Sequence, residues 1–247
     1  MADCFALYSL YGALSPEEAF PKAKEAAAKA LEIDDAIAEA HASLIWIKST
    51  YDWDWPAAEK EFKRTIELDP NDGTALNYYA SGYLTARGRL DEALALAKRS
   101  EEIEPLAPIN GTVVGRTLYL QRQYDQAIEH LRKVVDTDAN FPQVHLYLGL
   151  AYEQHSMVKE AIAEFQKGSN LSAGDPRMAA ALGHVYAVSG RKDLAINVLA
   201  QLEQLSKQRY VAPFEVAVIY VGLGDIKKRR LNGWKEPIWI ILLGSSG

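Results

Sequence analysis

Cysteine is all but missing from this sequence. Cys4 stands alone, which excludes an internal disulfide framework and a cysteine-built zinc site and suits a reducing compartment. Long apolar runs are missing too. The most hydrophobic stretch near the C-terminus, "IWIILL", is about a third of the ~20 residues that a membrane-spanning helix requires. The N-terminus, "MADCFALYSLYGAL", has Asp3 where a signal peptide would carry basic residues. Positive charge is in deficit, with 27 Lys and Arg against 33 Asp and Glu, a net charge of −6 and a pI near 5.5, which disfavours wrapping a phosphate backbone. Catalytic signatures are absent as well: there is no GxxxxGK[ST] loop, HExxH, GxSxG elbow or CxxC, and the GxG at Gly222–Gly224 lacks its third glycine. These gaps point to a cytoplasmic protein that is not an enzyme, needs no cofactor or metal, and binds neither nucleic acid nor membrane.

What the chain does have is apolar material, 49% of its 247 residues, and a repeat. Gly115, Gly149 and Gly183 are spaced by 34 residues, as are Ala127, Ala161 and Ala195, Pro108, Pro142 and Pro176, and Tyr152, Tyr186 and Tyr220. Upstream, Ala58 to Ala93 and Pro70 to Pro105 keep the pattern at 35, as if one residue were added to each turn between helices.

Each unit reads as two helices. In "PQVHLYLGLAYEQHSMVKEAIAEFQKGSNL" (142–171), Pro142 suits the first helical position, where its missing N–H costs nothing, and Val144, Leu148 and Tyr152 recur at helical spacing. The polar "EQHSM" breaks the pattern, a second helix carries Ala161, Ile162 and Phe165, and "GSNLSAGD" ends it before Pro176. Small residues in both helices, Ala80 with Ala93, Gly115 with Ala127, Gly149 with Ala161 and Gly183 with Ala195, predict close helix–helix contacts. One hairpin cannot bury its own apolar face, so the units must stack.

The 34-residue hairpin with a small residue in each helix, a late aromatic in the first, and a closing "ELDPND" (67–72) or "EIEP" (102–105) resembles the tetratricopeptide repeat. The resemblance implies an all-α right-handed solenoid. Its full repeats span 38–72, 73–107, 108–141, 142–175 and 176–209, with a partial repeat over 1–37 and an incomplete one over 210–226. Ile45 departs from the pattern in place of a small residue, as do Ala139 and Ala173 in place of the closing proline. The wording of "YDWDWPAAEKEFKRTIELDP" is further similar to arrays at the C-terminal ends of bacterial multidomain regulators. Because Met1 falls inside the first helix of a repeat, the alternative reading is a sensing or dimerising fragment of such a regulator.

In this family the concave face, lined by first helices, holds a peptide or a partner helix. Transferred by register, the resemblance places in the groove Glu39, Ala42, Trp46 and Ser49; Thr74, Asn77, Ser81 and Leu84; Thr112, Arg116 and Tyr119; Leu146, Leu150 and Glu153; and Arg177, Ala180 and His184. The Lys and Asn arrangement with which some members clamp a terminal carboxylate is missing at these positions. Trp46, Arg116 and Tyr119 are the expected anchors, since aromatic and Arg side chains dominate interfaces. A protein or peptide is the expected partner, and self-association stays open.

Other conspicuous residues read as packing. His145, His155 and Glu164 could be drawn as metal ligands, but paired imidazoles at a metal want spacing such as i, i+4 on one helix, and His41 and His145 share a repeat position. Cys4 is expected as a buried thiol on an apolar helix face. Trp53 and Trp55 are expected to close a hairpin, Tyr79 and Tyr83 to join the core, and Tyr78 is open between core and groove. "KRSEEIE" and "EKEFKR" read as solvated faces.

The stretch 227–247 reads as an aberrant tail. The register puts Arg229 where Ala127, Ala161 and Ala195 stood, and a guanidinium cannot fill that tight site unpaired. A shifted reading frame accounts for it: for one choice of codons, "LNGWKEPI" read two nucleotides later becomes Glu-Trp-Leu-Glu-Arg-Ala-Tyr, a repeat-like second helix.

Overall fold

The computed structural model describes residues 1–10, 13–172 and 174–224; the stretch containing Arg229 and the tail lies outside them. The described residues form thirteen α-helices and no strand. Six antiparallel pairs follow one another: α1 (Ala2–Leu10) with α2 (Pro16–Ile33), α3 (Ala38–Ile47) with α4 (Trp55–Leu68), α5 (Gly73–Tyr78) with α6 (Leu90–Ile103), α7 (Pro108–Leu120) with α8 (Tyr124–Thr137), α9 (Pro142–Gln154) with α10 (Val158–Leu171), and α11 (Pro176–Val188) with α12 (Lys192–Leu205). Finally, α13 (Pro213–Gly222) packs on α11. The architecture is an all-α solenoid of stacked hairpins.

Local chemistry starts these helices. Proline occupies the first position of α2, α7, α9, α11 and α13, where its missing N–H is no loss. Asp54, Asp72 and Asp175 cap α4, α5 and α11 by accepting hydrogen bonds from the N–H groups of Ala57, Ala75 and Arg177 at 3.1, 2.8 and 2.9 Å. Second helices bury one stripe, as α8 does with Ala127, Leu131 and Val134. First helices are buried almost all round, because each lies between its own partner and the first helices of neighbouring units.

Ala58, Ala93, Ala127, Ala161 and Ala195 are all completely buried, at 0% exposure. The glycines do not face these alanines, however; they face the large side chain one turn further along. A methyl group built on Gly115 would lie 2.3 Å from Leu131, and one on Gly149 would lie 2.4 Å from Phe165. On Gly183 it would meet Ile219 at 2.5 Å, the core of the next unit.

The extra residue of the two 35-residue units is not in a turn between helices. It sits inside the first helix, which continues as a π-helical stretch at Lys48–Asp52 after α3 and at Tyr79–Leu84 after α5. A π turn takes up one residue more than an α turn, so the second helices stay in register.

The hairpin turns themselves share one backbone feature. Trp53, Gly88, Arg122, Ser156, Gly190 and Gly224 all have positive φ, between 57° and 81°, at the repeat spacing. Glycine takes this left-handed conformation freely, whereas Trp53, Arg122 and Ser156 hold it against the clash of a Cβ.

Several sequence expectations change. Cys4 is exposed on α1 instead of buried. Trp53 is 60% exposed, because the left-handed turn directs it outward, and touches Trp55 edge-on at 5.6 Å, while Trp55 itself packs edge-on to Tyr83 at 5.9 Å. As expected, α10 ends within "GSNLSAGD", at Leu171, with "GSNL" forming its last turn. Tyr79 and Tyr83 are buried and stack on each other at 4.5 Å, and Tyr78 lies against Trp46 at 5.5 Å.

Candidate functional site

The solenoid curls enough for its two ends to meet. Ala6 and Ser9 of α1, Pro16 and Phe20 of α2, Trp46, and Thr50 of the first π stretch face Asp175, Pro176 and Arg177 at the start of α11, together with Tyr210, Ala212 and Glu215. Together they enclose a cavity of about 280 Å³. First helices therefore lie on the inside of the curve.

The proposed groove residues divide into two sets. Ala42, Ser49, Asn77, Ser81, Leu84, Thr112, Leu146 and Ala180 are buried within the chain, Ser49 with its Oγ unpaired. Asn77 donates to Asn110 Oδ1 at 3.0 Å, Thr112 donates to the Pro108 carbonyl at 2.7 Å, and the Ser81 carbonyl accepts from Arg116 at 3.3 Å. Asn77 with Asn110 and Arg116 with the Ser81 carbonyl join successive repeats, while Thr112 bonds within its own helix; the buried side chains are not open to a partner. Glu39 and Thr74 are exposed, while Trp46, Arg116, Tyr119, Leu150, Glu153, Arg177 and His184 are partly covered.

The partly covered set forms two groups. Arg116 lies over the Tyr147 ring at 5.8 Å, and Tyr119 meets Tyr124 at the same distance. Burial first, then the Glu153 carboxylate, push the Tyr119 hydroxyl up to about 12. Glu153 in turn holds His184 Nδ1 at 2.7 Å. The other group is the cavity, which Trp46 and Arg177 line from opposite ends of the array.

Sequence reasoning missed Phe20, Tyr210 and Glu215. Phe20 and Tyr210 leave no local signal, because only the curl of the whole array brings them together. Glu215 leaves one: it is a carboxylate where the 34-residue register carries Val113, Tyr147 and Ala181.

Two of the histidines, His145 and His41, are structural. His145 Nδ1 bonds Glu164 at 2.6 Å and Nε2 bonds the Ala139 carbonyl at 2.8 Å. Both partners are acceptors, so the protonated ring is the form that satisfies both at once. Burial opposes that charge, but the Glu164 hydrogen bond and the carbonyl outweigh it and raise the His145 pKa. His41 repeats the geometry with Glu61 at 2.6 Å and Asp35 at 3.0 Å, and His155 lies beside Asp125, far from the imagined triad.

The family model described as "Tetratricopeptide repeat" matches residues 54–108, and one described as "TPR repeat" matches residues 115–156. The repeats within these two stretches are tetratricopeptide repeats. Anaphase-promoting complex subunit 3 of Schizosaccharomyces pombe is 21% identical over 178 residues, 71% of this chain. The chain matches only 26% of that relative's length. Type IV pilus assembly protein PilF of Pseudomonas aeruginosa is 26% identical over 190 residues, covering 74% of this chain and 73% of PilF. The crystal structure of PilW, a type IV pilus biogenesis factor, superposes with a TM-score of 0.65 at 16% identity, over 88% of this chain and 96% of PilW. At that identity the likeness concerns the fold. Among the described residues no helix is long and apolar enough to cross a membrane.

Proposed function

We propose that this tetratricopeptide-repeat chain is a non-catalytic interaction scaffold that holds a peptide or a partner helix along its concave face, in the cytoplasm. The curl that gathers residues 6–50 and 175–215 around one cavity carries this reading. It leaves a curved inner face on which Trp46, Arg116, Tyr119, Leu150, Glu153, Arg177 and His184 are partly open, and large aromatic and Arg side chains are the usual anchors of an interface. Two of the relatives, a subunit of a complex and an assembly protein by name, support the same class of role.

Retention of random octapeptide pools by the immobilised full chain tests the reading. Trp46→Ala or Tyr119→Ala should weaken retention by roughly 1 kcal/mol or more. Lys133→Ala, on an exposed second-helix face, should leave it unchanged. Equal losses from all three would locate binding elsewhere.

A further inference from the structure

The cavity between the two ends of the array has a chemistry that the rest of the concave face lacks. Glu215 is only 8% exposed, and its Oε2 is buried without a hydrogen-bond partner. A buried acceptor left unpaired is costly, and a ligand that supplies a donor recovers that cost. Arg177 does not fill this role as the structure stands, because its guanidinium is engaged with both Asp175 oxygens at 2.5 to 3.1 Å. That ion pair is close to neutral as a unit, which leaves Glu215 as the acid of the cavity. The rings of Phe20 and Trp46 line the same cavity, with Ala6 and Pro176 completing an apolar lining.

At about 280 Å³ the space is below the roughly 300–1,000 Å³ of pockets for drug-sized ligands and suits one inserted side chain. A long aliphatic stem can lie along aromatic rings while its charged head meets a carboxylate. We propose that this cavity receives a lysine or arginine side chain of the peptide bound in the groove. The proposal rests on the concave-face reading above and adds the chemistry of the partner.

A pH dependence follows. Burial first, and Asp175 with it, push the Glu215 carboxyl up to about 7, against a backbone hydrogen bond from Ala212 and the charges of Arg177 and Arg209, which pull it down. Tyr210 stands beside Glu215 and also faces Glu17. A cation selects the ionised carboxylate, so binding of a basic side chain displaces a proton and strengthens as pH rises through neutrality.

The test uses four pools of N-acetylated, C-amidated octapeptides, random except for one central position fixed as lysine, arginine, norleucine or glutamate. The full chain should retain the lysine and arginine pools at least tenfold better than the norleucine pool, and that preference should grow several-fold from pH 6 to pH 8. Glu215→Gln should remove the preference, as should Ser9→Phe, which fills the cavity from α1; circular dichroism establishes that both variants are folded. Norleucine retained as well as lysine, or a preference surviving both variants, overturns the cavity proposal alone. If no pool is retained at any composition, the groove reading itself fails and takes this proposal with it.

Discussion

Replacing Gly149 by leucine tests the packing of the central hairpin. A Cβ at this position would lie 2.4 Å from Phe165 Cε1, 2.7 Å from Cδ1 and 3.0 Å from Cζ. Phe165 is fully buried, so its ring cannot swing into solvent to make room. Overpacking of this kind costs roughly 1 to 3 kcal/mol, and leucine adds three carbons beyond the Cβ, which places the substitution at the upper end. The better helix propensity of leucine over glycine returns about 0.8 kcal/mol. A net loss of about 1 to 2 kcal/mol remains, equivalent to a fall in Tm of roughly 2 to 8 °C for a chain of this size. Thermal melts of Gly149→Leu, Phe165→Ala and the double variant measure it. Phe165→Ala alone should cost about 3 to 5 kcal/mol through the cavity it leaves. The leucine should then partly fill that cavity, so the double variant should be more stable than the sum of the single losses by about 1 kcal/mol or more. An unchanged melt for Gly149→Leu, or strictly additive losses, would refute the contact.

Three further outcomes can be checked by urea midpoints. Ser156→Gly should stabilise by about 0.5 to 1 kcal/mol, since the left-handed turn at φ 62° costs an L residue ~1–2 kcal/mol and glycine returns part of that as unfolded-chain entropy; Gly190→Ala, at φ 81°, should destabilise. His145→Gln should cost more at pH 6 than at pH 9. The folded-state pKa of His145 is raised, so its contribution is whole below the unfolded value near ~6.5 and is lost as pH rises through the folded value. Glu164, held low against its burial by His145 and Lys167, contributes above its unfolded value near ~4.3 and so stays ionised at both pH values. Gly82→Leu should cost about 1 to 3 kcal/mol, because a Cβ there already touches Trp46 at 3.3 Å and Ser49 at 3.4 Å; a neutral result would mean that the two π stretches can separate freely.

The fold was legible because repetition multiplies weak signals. A single Gly149 or Pro142 says little, but recurrence at 34 residues fixes both helices of the unit and the buried faces of Ala127, Ala161 and Ala195. The groove was less legible. Register names the residues on a first helix, yet Ser49, Asn77 and Thr112 are buried because adjacent first helices pack more closely than a register transfer can express. Trp53 was misplaced because the sequence carries glycine at Gly88, Gly190 and Gly224 but a bulky residue here, in the same left-handed turn. The cavity was not legible at all as a site, since its two halves are separated by more than a hundred residues and meet only through the accumulated rotation of the stack.

Departures from the repeat are not scattered evenly. The central units, from Pro108 to Leu171, keep the 34-residue period, an unbroken α-helical first helix and a glycine at the close contact. At the N-terminal end Ile45 replaces the small residue and the first helices of two successive units widen into π turns, the first of which carries Thr50 to the cavity. At the C-terminal end Pro213 follows Pro176 by 37 residues, and the added loop places Tyr210 and Ala212 in the same cavity, with Glu215 entering from the first turn of α13. A stack of identical units would have no reason to bury an unpaired carboxylate oxygen in one of them, because such a group opposes folding. Sequences that break their own local rules without a folding gain tend to do so where they bind something. Both ends of this array break theirs around the same 280 Å³, and this supports the proposal that the partner is selected where the ends meet, more than in the regular middle of the groove.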